Sequence, residues 1–85
     1  MKHLTHRWEA QQLLQVAAQY ERLGDVYHAV KLYKKICRLL PDWGLPYFKL
    51  SLIYRKRLEW KPTFYYSQRA LEGSPDNETA QWNLG

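Results

Sequence analysis

The side chains that could do chemistry in this 85-residue chain are few and badly spaced for catalysis. His28 and Cys37 are nine residues apart. At about 100° per residue a helix places them on opposite faces, so they cannot act as base and nucleophile within one helix. His3 and His6 share a helical face, but two ligands beside a fraying terminus make a poor metal site. Cys37 is the single cysteine, which excludes an intrachain disulfide and a cysteine-based zinc site and reads as a small packing residue. The sequence contains no Gly-rich phosphate loop, no His-Glu-x-x-His zinc motif and no Gly-x-Ser-x-Gly nucleophile elbow. The expectation is a non-enzyme with no catalytic residues, no metal and no cofactor.

Binding chemistry is better represented. Lys31, Lys34, Lys35 and Arg38 are spaced i, i+3, i+4, i+7 and so fall on one helical face. That stripe lies opposite Ala29, Tyr33, Ile36 and Leu40, and its first reading is a solvated outer face. RNA, DNA or an acidic protein surface is the second reading. The net charge of +5 is spread along the chain, with seven basic and four acidic residues through Trp43 and six and four after it, so no basic tail stands apart. The first ten residues lack the apolar run of a signal peptide. No stretch approaches the roughly 20 apolar residues of a membrane span. A cytoplasmic protein without membrane insertion is expected.

These groups need a scaffold, and the composition supplies one. Hydrophobic residues make up 46% of the chain and charged residues 25%, with seven Tyr, four Trp and two Phe. That profile folds. A chain this short buries only about 60 to 65% of its unfolded surface, which leaves little room for a deep cleft. Pro41-Asp42 and Pro75-Asp76 are 34 residues apart, as are Tyr20 and Tyr54. Leu13 and Tyr47, Val16 and Leu50, and Ala17 and Ser51 extend the match at the same offset, so the repeat unit is about one helical hairpin. Helical spacing of Leu13, Val16, Ala17 and Tyr20, then of Ala29, Tyr33, Ile36 and Leu40, then of Tyr47, Leu50, Ser51 and Tyr54, gives each helix an inner face. The pattern predicts helices at about 5 to 23, 26 to 40, 44 to 58, 61 to 72 and 77 to 85. Gly24 is expected to end the first helix in the left-handed conformation and Asp25 to cap the second.

The residues resemble the tetratricopeptide family, whose 34-residue helix-turn-helix unit has a Trp-Leu-Gly-Tyr, Ala, aromatic, Ala, Pro pattern. In the first repeat the match is Tyr20, Gly24, Ala29, Tyr33 and Pro41. In the second it is Leu50, Tyr54, Ala70 and Pro75. Trp82-Asn83-Leu84-Gly85 looks like the opening of a third. The resemblance implies an all-α fold, a helix-turn-helix repeat solenoid of about five helices in one domain over residues 1–85. Repeat one spans about 10–43, repeat two about 44–77, and a truncated third 78–85. Small Ala29 and Ala70 would sit where helices approach closely, with Tyr20 and Tyr33 filling wider gaps. The second repeat departs from the pattern: Thr63 and Ser67 replace Ala and an aromatic, and Leu58 replaces Gly24. A left-handed Leu costs roughly 1 to 2 kcal/mol, so that turn is expected to be built differently, with Pro62 in the first turn of the next helix. Trp60, Phe64, Tyr65 or Tyr66 would supply the aromatic packing.

By the same resemblance, the first helix of each repeat lines a concave groove that binds a peptide segment or helix of a partner protein, as a scaffold or adaptor does. Groove residues would be Gln11, Leu14, Ala18, Glu21 and Arg22, then Leu45, Phe48, Leu52, Arg55 and Lys56, then Thr79 and Trp82. Leu45, Phe48 and Leu52 form a second apolar stripe on a helix whose inner face is already supplied by Tyr47, Leu50 and Tyr54, and such a helix wants two neighbours. Three readings of the stripe stay open: cover by the last helix, homo-dimerisation, or a peptide groove. A bound peptide would be acidic and apolar-anchored, with anchors near Phe48 and Trp82 and acidic groups near Arg55 and Lys56. The family's tail-binding Lys and Asn would fall at Leu14 and Ala18, so chaperone-like C-terminal tails are not expected ligands. Tyr20-Glu21 is similar to an aromatic-Glu pair in a related RNA-processing helical-repeat family, although the spacing of Tyr20 to Gly24 fits the tetratricopeptide pattern. RNA association is the alternative function.

Overall fold

A computed structural model describes the backbone of residues 2–73 and the side chains of residues 6–73. It contains four helices, α1 (Lys2–Arg22), α2 (Val26–Leu39), α3 (Gly44–Lys56) and α4 (Trp60–Glu72), and no strand among the described residues. The described residues are therefore helical throughout apart from their turns, compatible with an all-α fold, with element bounds close to those the apolar periodicity predicts. The expected helix at 77–85, the truncated third repeat, Pro75, Thr79 and Trp82 lie outside the described residues.

The first turn is built as its residues dictate. Gly24 takes φ +83°, and its amide donates to the Glu21 carbonyl while the Asp25 amide donates to that of Tyr20. Asp25 then caps α2: its carboxylate accepts from the His28 backbone amide at 3.2 Å and from the His28 ring Nδ1 at 2.7 Å. Those hydrogen bonds, the backbone one foremost, hold the Asp25 carboxyl below its ordinary value of 3.8.

The second turn corrects the expectation of a different build. Leu58 adopts φ +60°, the left-handed region Gly24 occupies. Its amide donates to Arg55 and the Glu59 amide to Tyr54, the same bonds shifted by 34 residues. The shift continues on both sides: Leu23 to Gln19 matches Arg57 to Ile53, and Ala29 to Asp25 matches Thr63 to Glu59. Backbone strain at a non-glycine residue is tolerated because the flanking helices fix the crossing. Capping is what the second turn lacks. Glu59 makes no side-chain cap bond and instead pairs with Arg57 at 3.1 Å. Pro46 in α3 and Pro62 in α4 both fall in the first turn, where a missing amide hydrogen is harmless.

Helices pack in chain order, α1 on α2, α2 on α3 and α3 on α4. The core combines small residues, Ala10, Ala17, Ala29 and Ala70, with Tyr33, Ile36, Tyr47, Leu50 and Ile53. Ala29 and Ala70 are both buried, as close helix approach requires. Val16 is not an inner residue: it is exposed, as is the whole edge of α1 away from α2. Of the four aromatics expected to replace the second-repeat pattern, Tyr66 packs on α3, stacking on Tyr54 at 5.6 Å and on Tyr47 at 6.4 Å, with Tyr65 edge-on to it at 4.9 Å. Trp60, Phe64 and Tyr65 are exposed. Gly73 ends α4 against the loop between α2 and α3, where a Cβ would meet the Asp42 carbonyl oxygen at 3.3 Å.

Candidate functional site

The groove lies between α1 and α3 and has two chemically distinct ends. One end, about 510 Å³, is lined by Leu14, Gln15, Ala18, Tyr33, Leu45, Phe48 and Lys49. Leu14, Leu45 and Phe48 are each half-buried there, apolar surface that the hairpins leave uncovered. The adjoining end, about 600 Å³, is lined by Gln15, Ala18, Gln19, Glu21, Arg22, Lys49 and Lys56. Gln15, Ala18 and Lys49 line both, so the two hollows adjoin along one open groove.

Periodicity explains which side chains reach the channel. On α1, Leu14, Ala18 and Arg22 recur every fourth residue, and on α3, Leu45, Lys49 and Lys56 follow at i, i+4, i+11. Tyr33 of α2 closes the floor. Its phenol is fully buried and donates to the Glu21 carboxylate at 2.6 Å, tying α1 to α2 beneath the groove. Burial, followed by the neighbouring Glu21 carboxylate, pushes the Tyr33 phenol well above its ordinary value. Glu21 is thus engaged with the scaffold, whereas Arg22, Lys49 and Lys56 make no ion pair among the described residues. Three cations against one committed carboxylate give the polar end a net positive field.

Of the residues expected in the groove, Leu14, Ala18, Glu21, Arg22, Leu45, Phe48 and Lys56 line it. Gln11, Leu52 and Arg55 do not; Gln11 and Arg55 point to solvent and Leu52 is half-buried. Gln15, Gln19, Tyr33 and Lys49 line it without having been expected. The 34-residue offset pairs Leu14 with Phe48, Gln15 with Lys49 and Arg22 with Lys56, so the same face of α1 and α3 supplies most of the lining. The usable signal for Lys49 was its place four residues after Leu45.

On α2, Lys31, Lys35 and Arg38 are exposed and none of them lines the groove, while Lys34 is half-buried on the side toward α3. Lys31 Nζ lies 5.2 Å from the Tyr27 ring centre and Lys34 Nζ 6.0 Å from that of Tyr54. His28 and Cys37 are separated as the helical geometry requires: His28 is exposed at the cap, and Cys37 is buried with its thiol pushed up to about 11 by that burial. A thiol so raised is a packing group at neutral pH rather than a nucleophile. Among the described residues no helix is long and apolar enough to cross a membrane, and no three potential metal ligands cluster. No family model, curated protein or solved structure matches the chain.

Proposed function

We propose that the chain is a tetratricopeptide-like interaction module that binds an acidic, apolar-anchored peptide segment of a partner protein between α1 and α3. The observation carrying this reading is the channel's polarity: Leu14, Leu45 and Phe48 at one end, Arg22, Lys49 and Lys56 at the other. An apolar side chain of the ligand would seat against Phe48, and carboxylates would follow toward Lys56. The repetition of the turn hydrogen bonds at a 34-residue offset supports the repeat-solenoid part of the reading. In this reading the acidic contacts fall to Lys49 and Arg22 beside Lys56, rather than to Arg55, which lies outside the hollow.

Anisotropy titration of a labelled peptide library, varied in apolar anchor and acidic content, tests the reading. Binding should select an apolar residue followed by acidic ones. Phe48→Ala should weaken it by about tenfold or more, as truncation of an aromatic anchor typically does, and Lys49→Glu should reverse the acidic preference. Retention of binding in both variants, with helicity intact, would remove the groove from consideration.

A second reading has its own observation. α2 carries Lys31, Lys34, Lys35 and Arg38 with no acidic residue between Val26 and Leu39, and none of the four is ion-paired among the described residues. A phosphate backbone fits such a ridge.

A further inference from the structure

Charge in this chain is sorted by element. α2, α3 and α4 carry four, three and two basic residues against a single acidic one, Glu72. The acids around them sit in the turns, as Asp25, Asp42 and Glu59, and Asp25 and Glu59 are already bonded to His28 and Arg57. Contacts across α3 then join the α2 cations to α4. Lys34 Nζ lies 6.0 Å from the Tyr54 ring centre, Tyr54 stacks on Tyr66 at 5.6 Å, and Tyr65 stands edge-on to Tyr66 at 4.9 Å. A second path runs through Tyr47: Arg69 of α4 donates to its hydroxyl at 3.2 Å, with the guanidinium 4.9 Å from its ring centre. The charges of Arg69 and Arg38 both act on the buried Cys37 thiol, which brings the two helices' cations to one face. Neither Tyr65, Arg69, Lys34 nor Arg38 lines the groove between α1 and α3.

The α2 cations by themselves fit any polyanion, and the tyrosines narrow the choice. Tyr65 is 55% exposed, and Tyr27, at the N-terminal end of the ridge with Lys31 Nζ 5.2 Å from its ring centre, is 67% exposed. Open rings among cations make a stacking platform beside an electrostatic track. A base can lie on such a ring only when it is free of a complementary strand, whereas an acidic protein or a duplex would use the cations and leave the rings idle. Arg69 is held by Glu72 only at 3.5 Å and has donors to spare for a phosphate. We infer that single-stranded nucleic acid binds across α2 and α4, its phosphates against Lys31, Lys35, Arg38 and Arg69 and its bases on Tyr65 and Tyr27. The inference rests on the α2 ridge as a phosphate-binding surface and adds to it the α4 residues that select an unpaired strand. It does not depend on a peptide in the groove.

Anisotropy titration with labelled oligonucleotides, single-stranded and as duplexes, tests it, with helicity followed by circular dichroism in every variant. The single strand should bind about tenfold more tightly than the duplex, the size of effect one stacked base gives. Tyr65→Ala should remove about that factor from the single strand and nothing from the duplex, and Tyr65→Trp should keep it. Reversing charge with Lys35→Glu and Arg38→Glu should weaken both and flatten their salt dependence. Phe48→Ala should change neither. Binding untouched by the charge reversal would remove the ridge itself. Equal affinity for strand and duplex, with no effect of Tyr65→Ala, overturns the choice of an unpaired strand while leaving the ridge as a phosphate surface. Displacement of the strand by polyglutamate at equal charge also overturns the inference, and would make an acidic protein the partner.

Discussion

Leu58 is the residue at which the backbone asks for something its side chain does not provide. At φ +60° a Cβ crowds the neighbouring carbonyl, a cost of about 1 to 2 kcal/mol. Leu58 is 68% exposed, so its side chain returns little packing. Glycine would relieve the strain, less about 0.5 to 1 kcal/mol for the freedom it adds to the unfolded chain. Leu58→Gly should accordingly raise stability by about 0.5 to 1 kcal/mol, read as a rise of several degrees in the thermal midpoint of a chain this size. Gly24→Ala should move the other way by a similar amount. Nothing lies within 4 Å of the Cβ it would gain, so its cost is backbone alone. A fall in midpoint for Leu58→Gly would show that the side chain holds the turn through contacts its exposure conceals.

At the scale of the element, α2 is the helix with the best-defined start, and that start titrates. The Asp25 carboxyl is held below 3.8 by bonds from His28, so the folded state favours its ionised form. The contribution is fully present above the ordinary aspartate value and is lost as pH falls through the lower folded value. Asp25→Ala should lower the thermal midpoint near neutral pH, and the gap from wild type should narrow as the pH is taken below the ordinary aspartate value. A gap independent of pH down to 2 would mean that the carboxylate is not the capping group.

The Gly-Asp cap also shows what was legible beforehand. Gly24-Asp25 combines two local signals whose meaning hardly depends on context, and the helix bounds follow from apolar spacing for the same reason. Leu58 carried a local signal too, and it misled, because tertiary fixing of two helices outweighed the preference of one residue. Val16 misled through periodicity: it lies on the apolar side of α1, but on an edge no described helix covers. Leu14, Ala18, Leu45 and Phe48, which line the hollow between α1 and α3, were legible as what remains apolar after the inner faces are assigned. Lys49 carried a signal in its place four residues after Leu45, but a reading that follows apolar residues alone passes over it.

For the molecule as a whole, charge is what separates the two binding readings. The channel sets three cations beside an apolar end, whereas the α2 ridge presents four cations with little apolar surface beyond Tyr27. A single-stranded nucleic acid engaging all four loses affinity with a slope of about 0.7 per phosphate contact, so a fourfold rise in salt should weaken it about fiftyfold. A peptide anchored at Phe48 keeps its apolar contribution at any salt, and its carboxylates meet solvent-accessible cations whose pairs are individually weak. The expected result is a loss of only a few-fold for peptide binding over the same range, with the residual affinity abolished by Phe48→Ala. Charge reversal of Lys34 and Arg38 should leave that affinity in place, since neither reaches the channel. If instead binding collapses with salt, ignores Phe48→Ala and disappears with the reversal at Lys34 and Arg38, the working surface is the outer ridge of α2 and the groove between α1 and α3 is only the seam between two hairpins.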